Sequence, residues 1–270
     1  MAENVPLIHP TAIVDSSAEL DSSVRVGPYA IIGAGVQMGA QCEVAAHCII
    51  EGPSTIGSGN TFHPFGRIGG SPQDKKYAGE DTRLVVGNDN MFREYVTLNR
   101  GTVQDRGETT LGDDNWIMAY VHVAHDCIVG SHTILANTTN LAGHVQIGDW
   151  VILGGYTGVH QFCKVGAHAM TGVGSVVLHD LPPYVMASGD SANAHGLNSE
   201  GLKRRGFGKE RISLLRKAYK LLYRSGLSFE EARTAIAALV APGTDSPQES
   251  VNDIALLNDF LATATRGIVR

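Results

Sequence analysis

Apolar residues recur along this chain at a spacing of six. Ile8, Val14, Leu20, Val26, Ile32, Met38, Val44, Ile50, Ile56, Phe62 and Ile68 stand at that interval, and a glycine often follows directly, as at Gly27, Gly33, Gly39, Gly57 and Gly69. The phase returns at Val86, Phe92 and Leu98. A second register then runs through Leu111, Ile117, Val123, Val129, Leu135, Leu141, Ile147, Leu153, Val159, Val165, Thr171 and Val177, with Thr171 its only polar member. An amphipathic helix would repeat near 3.6 residues and a half-buried strand at two. A spacing of six fits a short strand, a bend and another short strand. One side chain per hexad points inward, and the small residue beside it is expected to let the chain turn the corner. Three flat segments close a triangular coil of roughly 18 residues, and coils stack at about 4.8 Å, the spacing of paired strands. The pattern predicts a parallel β-helix, mainly β in class, whose stacked coils bury an aliphatic column that no single repeat could bury alone.

Two polar stretches interrupt the hexads, residues 70–85 (GSPQDKKYAGEDTRLV) and 99–110 (NRGTVQDRGETT), and both read as loops leaving a rigid scaffold. The hexads end near residue 190. A dense apolar stripe then predicts a helix over 209–224, and Ser228 with Glu231 three residues on forms a capping-box signature for a second. Gly226 and Pro242-Gly243 separate these from a last helix near 247–265. The expected organisation is a β-helix over 1–190 and a small α-helical domain over 191–270.

Composition narrows the class. With 270 residues, 43% apolar and 18% charged, the chain is neither disordered nor fibrous. No apolar run approaches the roughly 20 residues of a membrane span, and MAENVPLIHP lacks the layout of a secretory signal, so no transmembrane segment and a cytoplasmic location are expected. The four cysteines (Cys42, Cys48, Cys127, Cys163) make no CxxC pair and read as free thiols. Net charge is −6, but residues 1–195 carry nine Lys or Arg against nineteen Asp or Glu, and residues 196–270 carry twelve against eight. The basic C-terminal part suits an acidic partner or a phosphate ligand; a solvated helix face is the plainer alternative.

Candidate chemistry concentrates in one stretch, which holds His122, His125, His132, His144, His160, His168 and His179. Adding one coil places Gly143 over His125, His144 over Asp126 and Gln161 over Gly143, a polar ladder on one outer edge.

The segments HPTAIV, QDKKYAGE, RGTVQ, AHDCIVG, LAGHVQIGD, GVHQFCKVGAH and EGLKRRGF, in this order and followed by a helical C-terminus, resemble the UDP-N-acetylglucosamine O-acyltransferase family of lipid A (lipopolysaccharide) biosynthesis, within the hexapeptide-repeat transferases. The resemblance spans essentially the whole chain. It implies a left-handed β-helix, a homotrimer with sites between neighbouring copies, and transfer of a 3-hydroxyacyl group from acyl carrier protein to the glucosamine 3-hydroxyl of UDP-N-acetylglucosamine. It implies no cofactor beyond the phosphopantetheine that carries the donor, no metal and no nucleic acid. His125 is then the general base, Asp126 its orienting partner and the Gly143 N–H the oxyanion donor, roles that suit an imidazole and a close backbone. Gln73, Asp74, Lys76, His122, His144, His160, Gln161, Asn198, Glu200 and Arg204 are the implied substrate-binding residues, with Asn198, Glu200 and Arg204 facing the nucleotide. Arg216, Lys217, Lys220 and Arg224 would capture the acidic carrier protein. His9, His47, His63, His132, His168, His179 and His195 read as structural or solvated.

Two positions tied to acyl length depart from the family pattern. Val173 stands where long-chain members have glycine and should block part of an acyl groove, while Ser191 replaces a histidine and should open space. The expected donor is shorter than that of the glycine-bearing members. Asn99 also replaces a common histidine, which bears on peripheral binding. Three rival readings are an amide-forming enzyme acting on an amino sugar, a zinc site using His122, His125 and His144, and a non-catalytic scaffold.

Overall fold

The computed structural model describes residues 7–241 and 246–270. Short strands, mostly two residues long, wind into three parallel sheets that form the faces of a triangular prism. Among the described residues the first face has nine strands, from Ile13–Val14 to Val176–Val177, and the second has eight, from Glu19–Leu20 to Lys164–Val165. The third has ten, beginning at Arg25–Val26. Register repeats at one coil, as in Ile13↔Ile31 and His122↔Asn140. Where the two polar stretches insert, the pairing widens to Arg67↔Thr97 and then Thr97↔His122. The excursions are shorter than the sequence suggests. Arg67–Gly70 and Arg83–Val86 bound the first, and Thr97–Asn99 and Glu108–Leu111 bound the second, because backbone pairing Arg83↔Glu108 recovers the ladder before the hexad apolar residue arrives.

From Val26 to Val177 every hexad residue named above, Thr171 included, is buried in one continuous column. The start of the column is open. Ile8 is 44% exposed and Val14 and Leu20 are only half-buried, with no coil beneath them among the described residues. The corners also turn differently from expectation. Gly27, Gly33, Gly39 and Gly57 do not take a left-handed backbone; the residue three positions after the inward side chain does, usually without being glycine, as at Tyr29, His47, Asp126 and His144. Those glycines instead admit the next coil. A Cβ on Gly57 would lie 2.6 Å from the Gly87 carbonyl oxygen. The four cysteines are free and buried in or beside the column, and burial pushes the Cys127 thiol up to about 12.

The left-handed corner residues stack coil on coil. At the corner between the third and first faces, Tyr29, His47, Phe65, Tyr95 and Tyr120 form a column of parallel rings with centroids 4.8–5.2 Å apart. Each non-glycine residue at positive φ costs about 1 kcal/mol, and ring stacking returns a similar amount.

The chain leaves the prism through a strand pair that the hexads do not announce: Val185–Ser188 runs antiparallel to Asn193–Leu197. Four helices follow among the described residues, α1 (Ser199–Arg204), α2 (Lys209–Tyr223), α3 (Phe229–Ala238) and α4 (Gln248–Ala262). Ser228 and Glu231 make the reciprocal capping box that starts α3. Leu202, Ile212, Leu215, Ile236, Ile254 and Leu257 bury a second core, which Tyr184 joins from the prism. The Pro242-Gly243 break lies outside the described residues. No helix among the described residues is long and apolar enough to cross a membrane.

Candidate active site

The corner between the first and second faces carries the histidine ladder. His122–Val123 ends on the first face and Ile128–Val129 begins the second, so Ala124 to Cys127 must bend there, and the coil above repeats this at Ala142 to Val145. The backbone confirms the stacking by hydrogen bonds: the His144 N–H donates to the His125 carbonyl (3.0 Å) and the Phe162 N–H to that of Gly143 (3.2 Å). Both polar excursions leave the prism at this same corner, the second one coil below His125 and the first two coils below.

His125 Nδ1 lies 2.7 Å from Asp126 Oδ2. That carboxylate is buried and also accepts from Thr102, through its N–H at 2.8 Å and its hydroxyl at 2.6 Å. Burial alone would raise the Asp126 pKa, but the hydrogen bonds from His125 and Thr102 outweigh it and the net shift is downward. An ionised carboxylate only accepts, so the His125 Nδ1 carries the proton and Nε2 is free to take one. No group among the described residues bonds to Nε2. The ring lies against the backbone of Gly143, where a Cβ would come within 2.7 Å of His125 Cε1 and 2.8 Å of Nε2. Gly143 also keeps an N–H that no described residue accepts. A base with a vacant Nε2 beside an unspent backbone donor is the arrangement that acyl transfer to a hydroxyl requires.

Around this pair, His122 stands on the first face with Nδ1 2.7 Å from the Thr97 hydroxyl, and burial followed by the nearby His125 lowers its pKa. His144 stacks flat on Phe162 at 4.4 Å and stands edge-on to His125 at 5.1 Å. His160 and Gln161 occupy the next coil, exposed, and Arg266 from the C-terminal tail reaches His160 Nδ1 at 3.3 Å. Gln73, Asp74 and Lys76 ride on the first excursion at the same corner. Asp74 accepts from the Lys76 N–H at 3.0 Å, and Arg100 holds the loop through Tyr77 (3.2 Å), while Asn99 bonds the Ser71 carbonyl (3.0 Å). Asn99 therefore supports the loop rather than facing outward.

Other candidates fall elsewhere. Val173, 78% exposed, and Ser191 lie at the far end of the aromatic corner. Glu200 and Arg204 are exposed on α1, at the third corner, where Glu200 pairs with Lys203 at 2.6 Å. Asn198 beside them is buried and committed: it caps α1 by accepting from the Gly201 N–H (3.1 Å) and donates to the His168 carbonyl (3.0 Å). The side chain therefore anchors the start of α1 to the prism, and one amide N–H and one lone pair remain beyond these two bonds. Arg216, Lys217, Lys220 and Arg224 are exposed along α2. The zinc trio is not assembled either, because the tight cluster at this corner is His125, Asp126 and His144, without His122. Sequence reasoning missed Thr102 and Asp105, whose place depends on how a non-repeating loop folds back; the RGTVQ motif contained the first but assigned it no role.

Fold and corner together define an acyltransferase built on hexapeptide repeats. Residues 108–143 match the bacterial transferase hexapeptide family, and residues 180–269 match the second domain of UDP-N-acetylglucosamine O-acyltransferase. An acyl-[acyl-carrier-protein]--UDP-N-acetylglucosamine O-acyltransferase of Verminephrobacter eiseniae is 58% identical over 97% of this chain and 99% of that protein, and one of Burkholderia lata is 54% identical over 97% and 99%. Solved structures of LpxA from Acinetobacter baumannii (47% identity, TM-score 0.92) and Moraxella catarrhalis (46%, TM-score 0.93) each cover 98% of this chain, which covers 100% of theirs. The chain belongs to the UDP-N-acetylglucosamine O-acyltransferase family, whose fold is the left-handed β-helix.

Proposed function

We infer that this enzyme moves a 3-hydroxyacyl group from acyl carrier protein to the glucosamine 3-hydroxyl of UDP-N-acetylglucosamine, the opening step of lipid A synthesis. The His125–Asp126 pair packed over Gly143 is the observation that carries this reading. His125 Nε2 takes the hydroxyl proton, the sugar oxygen attacks the thioester carbonyl directly, and the Gly143 N–H meets the oxygen on which charge develops. Asp126 stabilises the imidazolium until the proton passes to the departing thiolate. No covalent enzyme intermediate is required, and the only prosthetic group is the phosphopantetheine that arrives with the donor.

The assembly we infer is a homotrimer. In one chain the catalytic corner, the positions Val173 and Ser191, and the nucleotide-facing Glu200 and Arg204 lie at three different corners of the prism, so adjacent copies must bring them together. Arg204 suits a diphosphate as a forked donor, and Arg216, Lys217, Lys220 and Arg224 offer a cationic face to the acidic carrier protein. Exposed Val173 shortens the groove that Ser191 widens.

The test is product analysis by mass spectrometry, using a chain-length series of 3-hydroxyacyl carrier proteins with UDP-N-acetylglucosamine and with its 3-amino analogue. The expected product is an O-linked ester on the hydroxyl sugar, with a shorter optimum that lengthens in Val173→Gly. Transfer to the amino sugar alone contradicts the reading.

A further inference from the structure

The second excursion supplies a group that the repeat does not. Residues 100–107 fold back over the catalytic corner because Thr102 is bonded twice to Asp126 and the Gly107 N–H closes a turn onto the Thr102 carbonyl at 3.0 Å. That turn delivers Asp105, whose Oδ2 lies 2.7 Å from His144 Nδ1. The same Nδ1 is 3.8 Å from Asp126 Oδ2, the oxygen that His125 uses at 2.7 Å. Two imidazoles thus compete for one buried carboxylate, and Asp105 gives the second its own.

We propose that Asp105 is a positioning residue: it fixes the Nδ1–H tautomer of His144, turns His144 Nε2 into an acceptor for the sugar, and reserves Asp126 for His125. A carboxylate accepts and does not donate, so a 2.7 Å contact places the proton on His144 Nδ1. Phe162 holds the ring plane from one side at 4.4 Å. Nε2 of His144 has no partner among the described residues and is left to face a hydroxyl or amide N–H of the acceptor. Arg106 and Lys164 border the same cavity of about 210 Å³, so the acidic side chain has cations within reach, yet its partner is the imidazole.

The role as an acceptor for the sugar rests on the function inferred above; the tautomer does not, and the experiment separates them. Full-length protein with ¹⁵N-labelled histidine is compared as parent, Asp105→Ala and Asp105→Glu, reading the ring nitrogens of His144 and His125 without ligand, followed by steady-state kinetics. The parent shows His144 protonated at Nδ1. Asp105→Ala loses that signature and shifts the His125 Nδ1–H resonance as Asp126 becomes shared, while the KM for UDP-N-acetylglucosamine rises by about 3- to 10-fold, the worth of one partly exposed charge-assisted bond. Asp105→Glu restores both. An unchanged His144 resonance in Asp105→Ala overturns the proposal, as does a changed resonance with an unchanged KM. A parent that transfers nothing to the sugar nucleotide defeats the inferred function and the acceptor role, while the nitrogen spectra still decide whether Asp105 fixes the tautomer.

Discussion

Two corners of the prism share one backbone and do opposite things with it. At the aromatic corner the left-handed positions hold Tyr29, His47, Phe65, Tyr95 and Tyr120, whose rings stack without interruption. At the catalytic corner the equivalent positions hold Asp126, His144 and Phe162; His144 still stacks on Phe162, but below it the column gives way to carboxylate–imidazole pairs. Positive φ is therefore not a mark of the active site in this fold; it is the way most corners of the prism turn. The difference lies in what the loops add. Both excursions leave at the catalytic corner, and Thr102 and Asp105 come from one of them. The repeat provides regular spacing between coils, and a non-repeating segment adds the partners that bond to Asp126 and His144.

The sharpest way to break this contrast is to close the space above His125. In Gly143→Ala the new methyl must displace a ring held by a buried carboxylate, and kcat is expected to fall by about 100-fold, comparable with loss of an oxyanion donor. The fold should lose only about 1–3 kcal/mol, the usual cost of overpacking. Steady-state kinetics paired with thermal melting separates the two. A variant that melts early but turns over normally would make Gly143 a corner residue and nothing more.

The converse change belongs at the aromatic corner. Phe65→Leu removes two ring contacts, to His47 and to Tyr95, and should cost about 1–2 kcal/mol of stability by denaturant unfolding while leaving kcat per folded molecule unchanged. A large drop in kcat with unchanged stability would give this corner a catalytic part.

The third corner sharpens the picture through pH. His168 lies between Trp150 and Tyr184, and burial, reinforced by the Arg205 guanidinium, pushes its pKa down to about 4. The folded state thus disfavours the protonated ring. Its contribution is fully present above the unfolded value near 6.5 and is lost as pH falls from there toward 4. Melting temperature should decline across that window, and His168→Phe should flatten the decline. Identical pH profiles for the two proteins would remove His168 from the account.

Much of this was legible in the residues alone. The hexad phase located the inward side chains of the column from Val26 onward, and adding one coil to His125 placed Gly143 and His144 correctly, because strand pairing makes that spacing rigid. What escaped was everything without a period. Gly27, Gly33, Gly39 and Gly57 mark close approach of coils instead of left-handed turns, the Val185–Ser188 and Asn193–Leu197 pair breaks the parallel rule, and Asn198 caps a six-residue helix. Asp105 sits in a polar turn that looks like any other; only the fold-back of Thr102 onto Asp126 brings it to His144.

The central claim is that acyl transfer depends on the imidazole at the catalytic corner. The most direct measurement is kcat/KM for transfer to UDP-N-acetylglucosamine in folded His125→Ala beside the parent, with folding checked by circular dichroism. The account predicts a loss of about 100- to 10,000-fold, the range for removing a general base, with an unchanged fold. Retention of parental kcat/KM would contradict it.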